Sequence, residues 1–209
     1  MKKLIVYTAL VFCGSAPMIA LAQLPSIPGF GGKPSGGSDL VASQTGLVTS
    51  YVGASKDVLT AQSKMLLALG LKDKSAAAQA EADSLSAGST TGNLQAEEAA
   101  QSSASQDLAA ALKAPSPNLD ADAKKTYTQG LLSLASGLLK YTGMSKDIDG
   151  FRSGLSGASL MQTPKLQSGA YVVKTFPGNL QNLTETMKNA VAFAHSHGIE
   201  VPPEATAVI

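Results

Sequence analysis

The chain has 209 residues, a formal net charge of +1, one cysteine, two histidines and no tryptophan. So small a charge, with Arg152 the lone arginine, excludes the clustered basic surface that nucleic acid requires for counterion release. No lysine run suits anionic lipid headgroups, and with Cys13 confined to the first apolar stretch the rest of the chain has no disulfide and no thiolate.

Lys2 and Lys3 precede an apolar run over residues 4–14, and Ala20 and Ala22 complete an A-x-A pattern before Gln23. A basic start, a short apolar segment and small residues at the cut mark a signal peptide over residues 1–22. The expectation is therefore a bacterial-type precursor, cleaved after Ala22 and sent to the periplasm or outside the cell. Pro17 and the shortness of the run argue against a membrane span. Phe12 is too bulky for a lipobox, which disfavours lipoprotein processing at Cys13. Loss of Lys2 and Lys3 leaves fourteen basic against fifteen acidic residues, a mature charge of −1.

Residues 23–38, "QLPSIPGFGGKPSGGS", are rich in proline and glycine without a period, as a flexible leader would be. Residues 39–200 read as one helical domain and residues 201–209 as a tail. Ser38 and Asp39 are N-cap types before a first long helix. Val41, Val48, Val52, Leu59 and Leu66, with Leu40, Leu47, Tyr51, Val58, Met65 and Leu69 alongside, form its apolar face, which is expected to end near Gly70 with a weak point at Gly53.

Residues 73–87 and a segment capped by Asn93 and running to Lys113 are helical mainly through alanine. Such helices form readily but bury little area, so residues 73–113 are expected to be the least stable part, with disorder as the alternative. Asp120 and Asp122 then open a helix whose core face is Leu131, Leu134, Leu138 and Tyr141, with Leu132 and Leu139 beside it and Gly143 as its stop. A glycine-weakened helix follows from Ser145, a short one runs from Pro164 to Pro177, and a last one from Asn179 to His197. Pro202 and Pro203 are expected to prevent its renewal. No segment alternates with period two, so the fold expected is all-α: an antiparallel helical bundle of about five to seven helices.

One internal echo is specific. "YVGASKDV" at residues 51–58 returns as "YTGMSKDI" at residues 141–148, identical at five of eight positions. Tyr51, Ser55, Lys56, Asp57, Tyr141, Ser145, Lys146 and Asp147 are thus a candidate interaction motif that meets a partner twice. The structural alternative is a duplicated helical hairpin with the tyrosines and Val58/Ile148 in the core, and this is the reading favoured.

Catalytic chemistry finds little purchase. The chain has no G-x-S-x-G, no S-x-x-K, no H-E-x-x-H and no C-x-x-C-H. The acid pairs Glu97/Glu98, Glu81/Asp83 and Asp120/Asp122 fall by pattern on solvated faces or first turns. A non-covalent haem would need a methionine, Met65 or Met161, opposite a histidine; Met144 and Met187 complete the methionines after the cleavage point, and all four fit core-filling more simply.

His195 and His197 lie about 200° apart around a regular helix, so they cannot chelate one ion. A helix ending accounts for them better: Gly198 in a left-handed conformation and Ile199 folding back on Ala194 or Phe193. "NLT" at Asn182 lies inside a helix, and Gly150-x-x-x-Gly154 suits close approach of helices.

The expected protein is therefore non-catalytic, without a metal or cofactor, and acts in the cell envelope as a protein-interaction or structural module. Its partner is another protein or a second copy, with neither nucleic acid nor a membrane span involved. The alternative is a carrier of a small apolar ligand or lipid between helices, with residues 150–159 as a flexible wall.

Overall fold

The computed structural model describes residues 37–86, 90–114, 119–158 and 163–209. The expected signal peptide, Cys13, the expected leader up to residue 36 and Met161 lie outside the described residues. Within them the chain is all-helical and has no strand.

α1 is Gly37–Ala68, α2 Lys72–Ser84, α3 Thr91–Lys113, α4 Ala121–Gly143 and α5 Ser145–Ser156. A 3-10 turn, Thr163–Leu166, leads into α6, Gln167–Ser196, and α7 is the short Pro203–Thr206. Among the described residues no helix is long and apolar enough to cross a membrane.

α1 is the axis on which the others pack. Gly130 and Gly137 of α4 lie against Ala61/Met65 and Ala54/Val58 of α1, so these two helices run antiparallel. A Cβ built on Gly137 would lie 2.8 Å from Val58 Cγ2 and 3.3 Å from the Ala54 carbonyl; one on Gly130 would lie 2.6 Å from Met65 Cγ. The heptad-spaced glycines therefore let the two backbones come close. α2 returns along α1, joined by the buried Ser63 and Ser75 hydroxyls 3.0 Å apart. α3 and α6 run parallel to α1: Gln62 reaches Gln101 and Ser105, while Gln44 and Tyr51 reach Gly169 and Asn179. The bundle thus mixes both senses around α1.

The large apolar rows of α1 and α4 fill the centre. Leu131, Leu134, Leu138 and Tyr141 of α4 are fully buried, each leucine worth about 1.5–3 kcal/mol. Leu132 and Leu139, expected beside the core, are instead 41% and 55% exposed. They lie about 100° around α4 from Leu131 and Leu138, and α4 meets α1 through its glycines instead.

Several local expectations are corrected. α1 runs unbroken through Gly53, around which a Cβ would meet nothing within 4 Å. Gly53→Ala should therefore stabilise the fold by about 0.5–1 kcal/mol, the helix-propensity difference, seen as a raised Tm; a lowered Tm would show that the site needs glycine. α3 is capped by Thr90, whose hydroxyl accepts from the Asn93 N–H at 3.3 Å, so Asn93 is inside the helix. Asp120 is itself the N-cap of α4, accepting from the Ala123 N–H at 2.8 Å, and Asp122 is in the first turn.

Pro177 does not break α6. Phe176, Val172, Val173 and Leu183 are buried on both sides of it while Pro177 faces outward, so core packing outweighs the single lost backbone bond. Close approach is made at Gly130, Gly137 and Gly169, the last against the Phe151 ring, and not at Gly150, which has open space around it. Pro203 starts α7 instead of preventing a helix, as proline at a first helical position does. The tail consequently docks, with Ala205 fully buried and the Glu200 carbonyl accepting from Thr128 at 2.9 Å.

Two helix endings follow one geometry. Gly70 has φ 83° and Gly198 φ 60°. Leu71 N–H donates to the Leu66 carbonyl and Ile199 N–H to that of Ala194, both at 2.9 Å. These are the six-to-one bonds of a Schellman ending, as expected at Gly198.

Candidate functional site

α3 turns a single stripe inward: Leu94, Glu97, Gln101, Ala104 and Leu108. Spacings of three and four make this a heptad seam, so its polar members are carried to the α1 interface with the leucines. Glu97, expected on a solvated face with Glu98, is fully buried. The expectation fails because alanine on every side of α3 hides which face is apolar. Glu98 remains half-buried and accepts a hydrogen bond from the Tyr171 hydroxyl of α6.

Around Glu97 the core is polar. Ser55 Oγ of α1 and the Tyr141 hydroxyl of α4 are 2.7 Å apart, either being the donor. Asn179 Nδ2 of α6 donates to the Tyr51 hydroxyl at 2.8 Å. The Tyr51 and Tyr141 rings meet edge to face at 5.5 Å and 75°, and Phe176 stacks on Tyr141 at 6.0 Å. Further along the seam Gln62 Nε2 donates to Ser105 Oγ at 2.7 Å and to the Gln101 carbonyl at 3.3 Å.

Four buried oxygens in this region meet no hydrogen-bond donor of good geometry among the described residues: both of Glu97 and the Oε1 atoms of Gln62 and Gln101. Such a set is rare in a folded core. Burial, reinforced by the carboxylates of Glu81 and Glu98 and opposed by the neighbouring Ser55 hydroxyl, pushes Glu97 up to about 8. Burial also lifts Tyr51 to about 12, with Glu97 adding to the rise and hydrogen bonding from Tyr141 and Thr175 opposing it. Tyr141 rises for the same first reason, reinforced by Tyr51 and Glu97. This centre is equipped to hold a proton.

The echo is split by these contacts. Tyr51, Ser55 and Tyr141 come together in the core. Lys56 and Lys146 are exposed, and Asp57 pairs with Lys140 at 2.7 Å and accepts from Ser136 at 2.9 Å. Ser145 donates to the Thr142 carbonyl at 2.9 Å, and Asp147 lies in the first turn of α5. The first copy is mid-helix and the second straddles the α4–α5 junction, so only the tyrosine ends meet. Gln62, Gln101 and Asn179 belong to no sequence motif, and Glu97 resembles a surface acid until the helices are assembled. The signal that marks the α3 pair is register: a heptad drawn through Leu94 and Leu108 passes through Glu97 and Gln101.

His195 is exposed. The His197 ring stacks on Phe193 at 3.8 Å, and its Nδ1 lies 2.8 Å from the Phe193 carbonyl. Among the described residues no three His, Cys, Asp or Glu side chains gather closely enough to hold a metal ion. Met65, Met144 and Met187 are buried in the core.

The outer surface has two features. On the α1–α4 pair a groove is lined by Asp57, Thr60, Leu132, Ser133 and Ser136. Leu139 continues its α4 side two turns on, and Leu67, 47% exposed, lies seven residues beyond Thr60 on α1. Between the C-terminal ends of α3 and α6 an open cavity of about 280 Å³ is lined by Ala109, Leu112, Lys113, Ala192, Phe193 and His197 among others. The stretch expected as a carrier's flexible wall, residues 150–159, takes in the second half of α5, where Phe151 is buried, and its end at Ser159 lies outside the described residues. Comparison of the chain with protein-family models, curated proteins and solved structures yields no match.

Proposed function

We propose that this is an exported, non-catalytic helical protein that works by docking to a protein partner, in the first instance a second copy of itself, through the outer face of α1 and α4. One observation carries the reading: Leu67, Leu132 and Leu139 are 47%, 41% and 55% exposed along that face. Asp57 and Lys140 beside the leucines pair with each other, and in a two-fold pairing the leucines of one copy meet those of the other. Export rests on the basic, apolar and A-x-A pattern of residues 1–22. The non-catalytic reading rests on the missing nucleophile and metal motifs. The meeting of Tyr51 with Tyr141 is compatible with an origin in a duplicated hairpin.

Light scattering of the mature chain across micromolar concentrations tests the reading. Its mass should rise towards that of a dimer, and Leu132→Glu with Leu139→Glu should return it to a monomer with unchanged helicity. A strict monomer at every concentration would sink self-docking.

The cavity between α3 and α6 favours a second reading, carriage of a small apolar molecule. Native mass spectrometry of protein from its own host decides it: a carrier retains a bound ligand mass, and a scaffold does not.

A further inference from the structure

We propose that Glu97 is a proton-operated latch: its neutral carboxyl lets α3 close on α1 and α6, and its ionisation releases α2 and α3 from the rest of the bundle.

Hydrogen-bond accounting favours the neutral form. Both Glu97 oxygens and the carboxamide oxygens of Gln62 and Gln101 are buried, and among the described residues the Ser55 hydroxyl beside Glu97 is the one donor near any of them. An ionised Glu97 only adds acceptors to that set, whereas a protonated one supplies a donor for Ser55 or a neighbouring carboxamide oxygen. Among the described residues no cation compensates an ionised Glu97. Facing Glu97 are Tyr51 of α1, Glu81 of α2 and Glu98 of α3, Tyr141 of α4 and Tyr171 of α6. All of these are neutral or negative. The ion pairs among the described residues join Lys74 to Asp107, Lys140 to Asp57 and Arg152 to Asp149, and none involves Glu97. A buried carboxylate without a partner is among the most unfavourable groups a core can hold.

The helices it would release have little apolar attachment. The buried apolar side chains of α3 are Leu94, Ala104 and Leu108, and those of α2 are Ala78 and Ala82. α4, in contrast, is anchored by Leu131, Leu134, Leu138 and two tyrosines. A charge at Glu97 therefore acts on the part of the fold that can open without unfolding the rest. Burial raises the proton affinity of Glu97 so that its titration falls in a mildly alkaline range, which makes the latch operable without denaturing conditions.

Hydrogen exchange on the full mature chain, corrected for the intrinsic pH dependence of exchange, tests the latch. Between pH 6 and pH 8 the protection of α3 amides should fall by up to about tenfold per pH unit, while that of α4 stays level. Glu97→Gln should make α3 protection independent of pH, and Glu98→Gln should leave the dependence in place. Equal pH responses in α3 and α4 of the unmodified protein would overturn the proposal without any variant. So would an undiminished response in a folded Glu97→Gln protein.

Discussion

Gly137→Val should destabilise the protein by about 3 kcal/mol or more, at the upper end of what overpacking a core usually costs. Even the first added carbon has no room. It would stand 2.8 Å from Val58 Cγ2, 3.3 Å from the Ala54 carbonyl and 3.3 Å from the Val58 nitrogen. Val58 is β-branched and fully buried in α1, so it has essentially one rotamer and nowhere to turn. At Gly130 the nearest atom, Met65 Cγ at 2.6 Å, belongs to an unbranched side chain that can repack. The order of damage in urea unfolding midpoints should therefore be Gly137→Val, then Gly130→Val, with Gly53→Ala on the stabilising side. Unchanged midpoints for both valine variants would mean that α1 and α4 are not in close contact.

Tyr141 should give a loss of comparable size, and its two truncations should separate packing from hydrogen bonding. Its ring fills the space between Tyr51 and Phe176, and its hydroxyl meets Ser55 at 2.7 Å in a fully buried site. Tyr141→Ala should cost about 3–5 kcal/mol through the cavity it leaves. Tyr141→Phe keeps the ring but leaves the Ser55 hydroxyl without that partner, and should cost about 1–3 kcal/mol. Adding Ser55→Ala to Tyr141→Phe should then recover part of the loss. A double variant as damaging as the two single changes summed would contradict a direct Ser55–Tyr141 bond.

The elements legible from the sequence are those with physical contrast along the chain. The α1 and α4 rows stand out because large apolar residues recur at helical spacing among polar ones. The end of α6 is legible because glycine after a helical run, followed by isoleucine, admits few other geometries. Pro177 misleads because the local rule omits the surrounding burial of Phe176 and Leu183, which supplies more energy than one backbone bond. Leu132 and Leu139 mislead because helix period alone ranks leucine above glycine as a core residue. In the folded chain the close contact is made by Gly130 and Gly137, and the leucines are left outside. Glu97 is hidden for a related reason. In α3 more than half of the polar residues have alanine for a neighbour, and only the register of Leu94 and Leu108 marks its inner face.

A raised proton affinity has a definite sign. Glu97 rises from 4.5 towards about 8 on folding, so the folded state binds the proton more tightly than the unfolded one. The stability this contributes is fully present below about pH 4.5 and is lost progressively as pH climbs to about 8, by roughly 1.4 kcal/mol per unit at the steepest. Other carboxylates act in the opposite direction at the acid end, so it is the difference between the native protein and Glu97→Gln that isolates the effect. The most direct measurement is the titration of the Glu97 side-chain carboxyl by carbon-13 NMR in the folded protein. A midpoint at about 8 is the result expected from its burial among acceptors and tyrosines. A midpoint near the ordinary glutamate value of about 4.3 would place Glu97 in water and contradict a core closed around a neutral carboxyl.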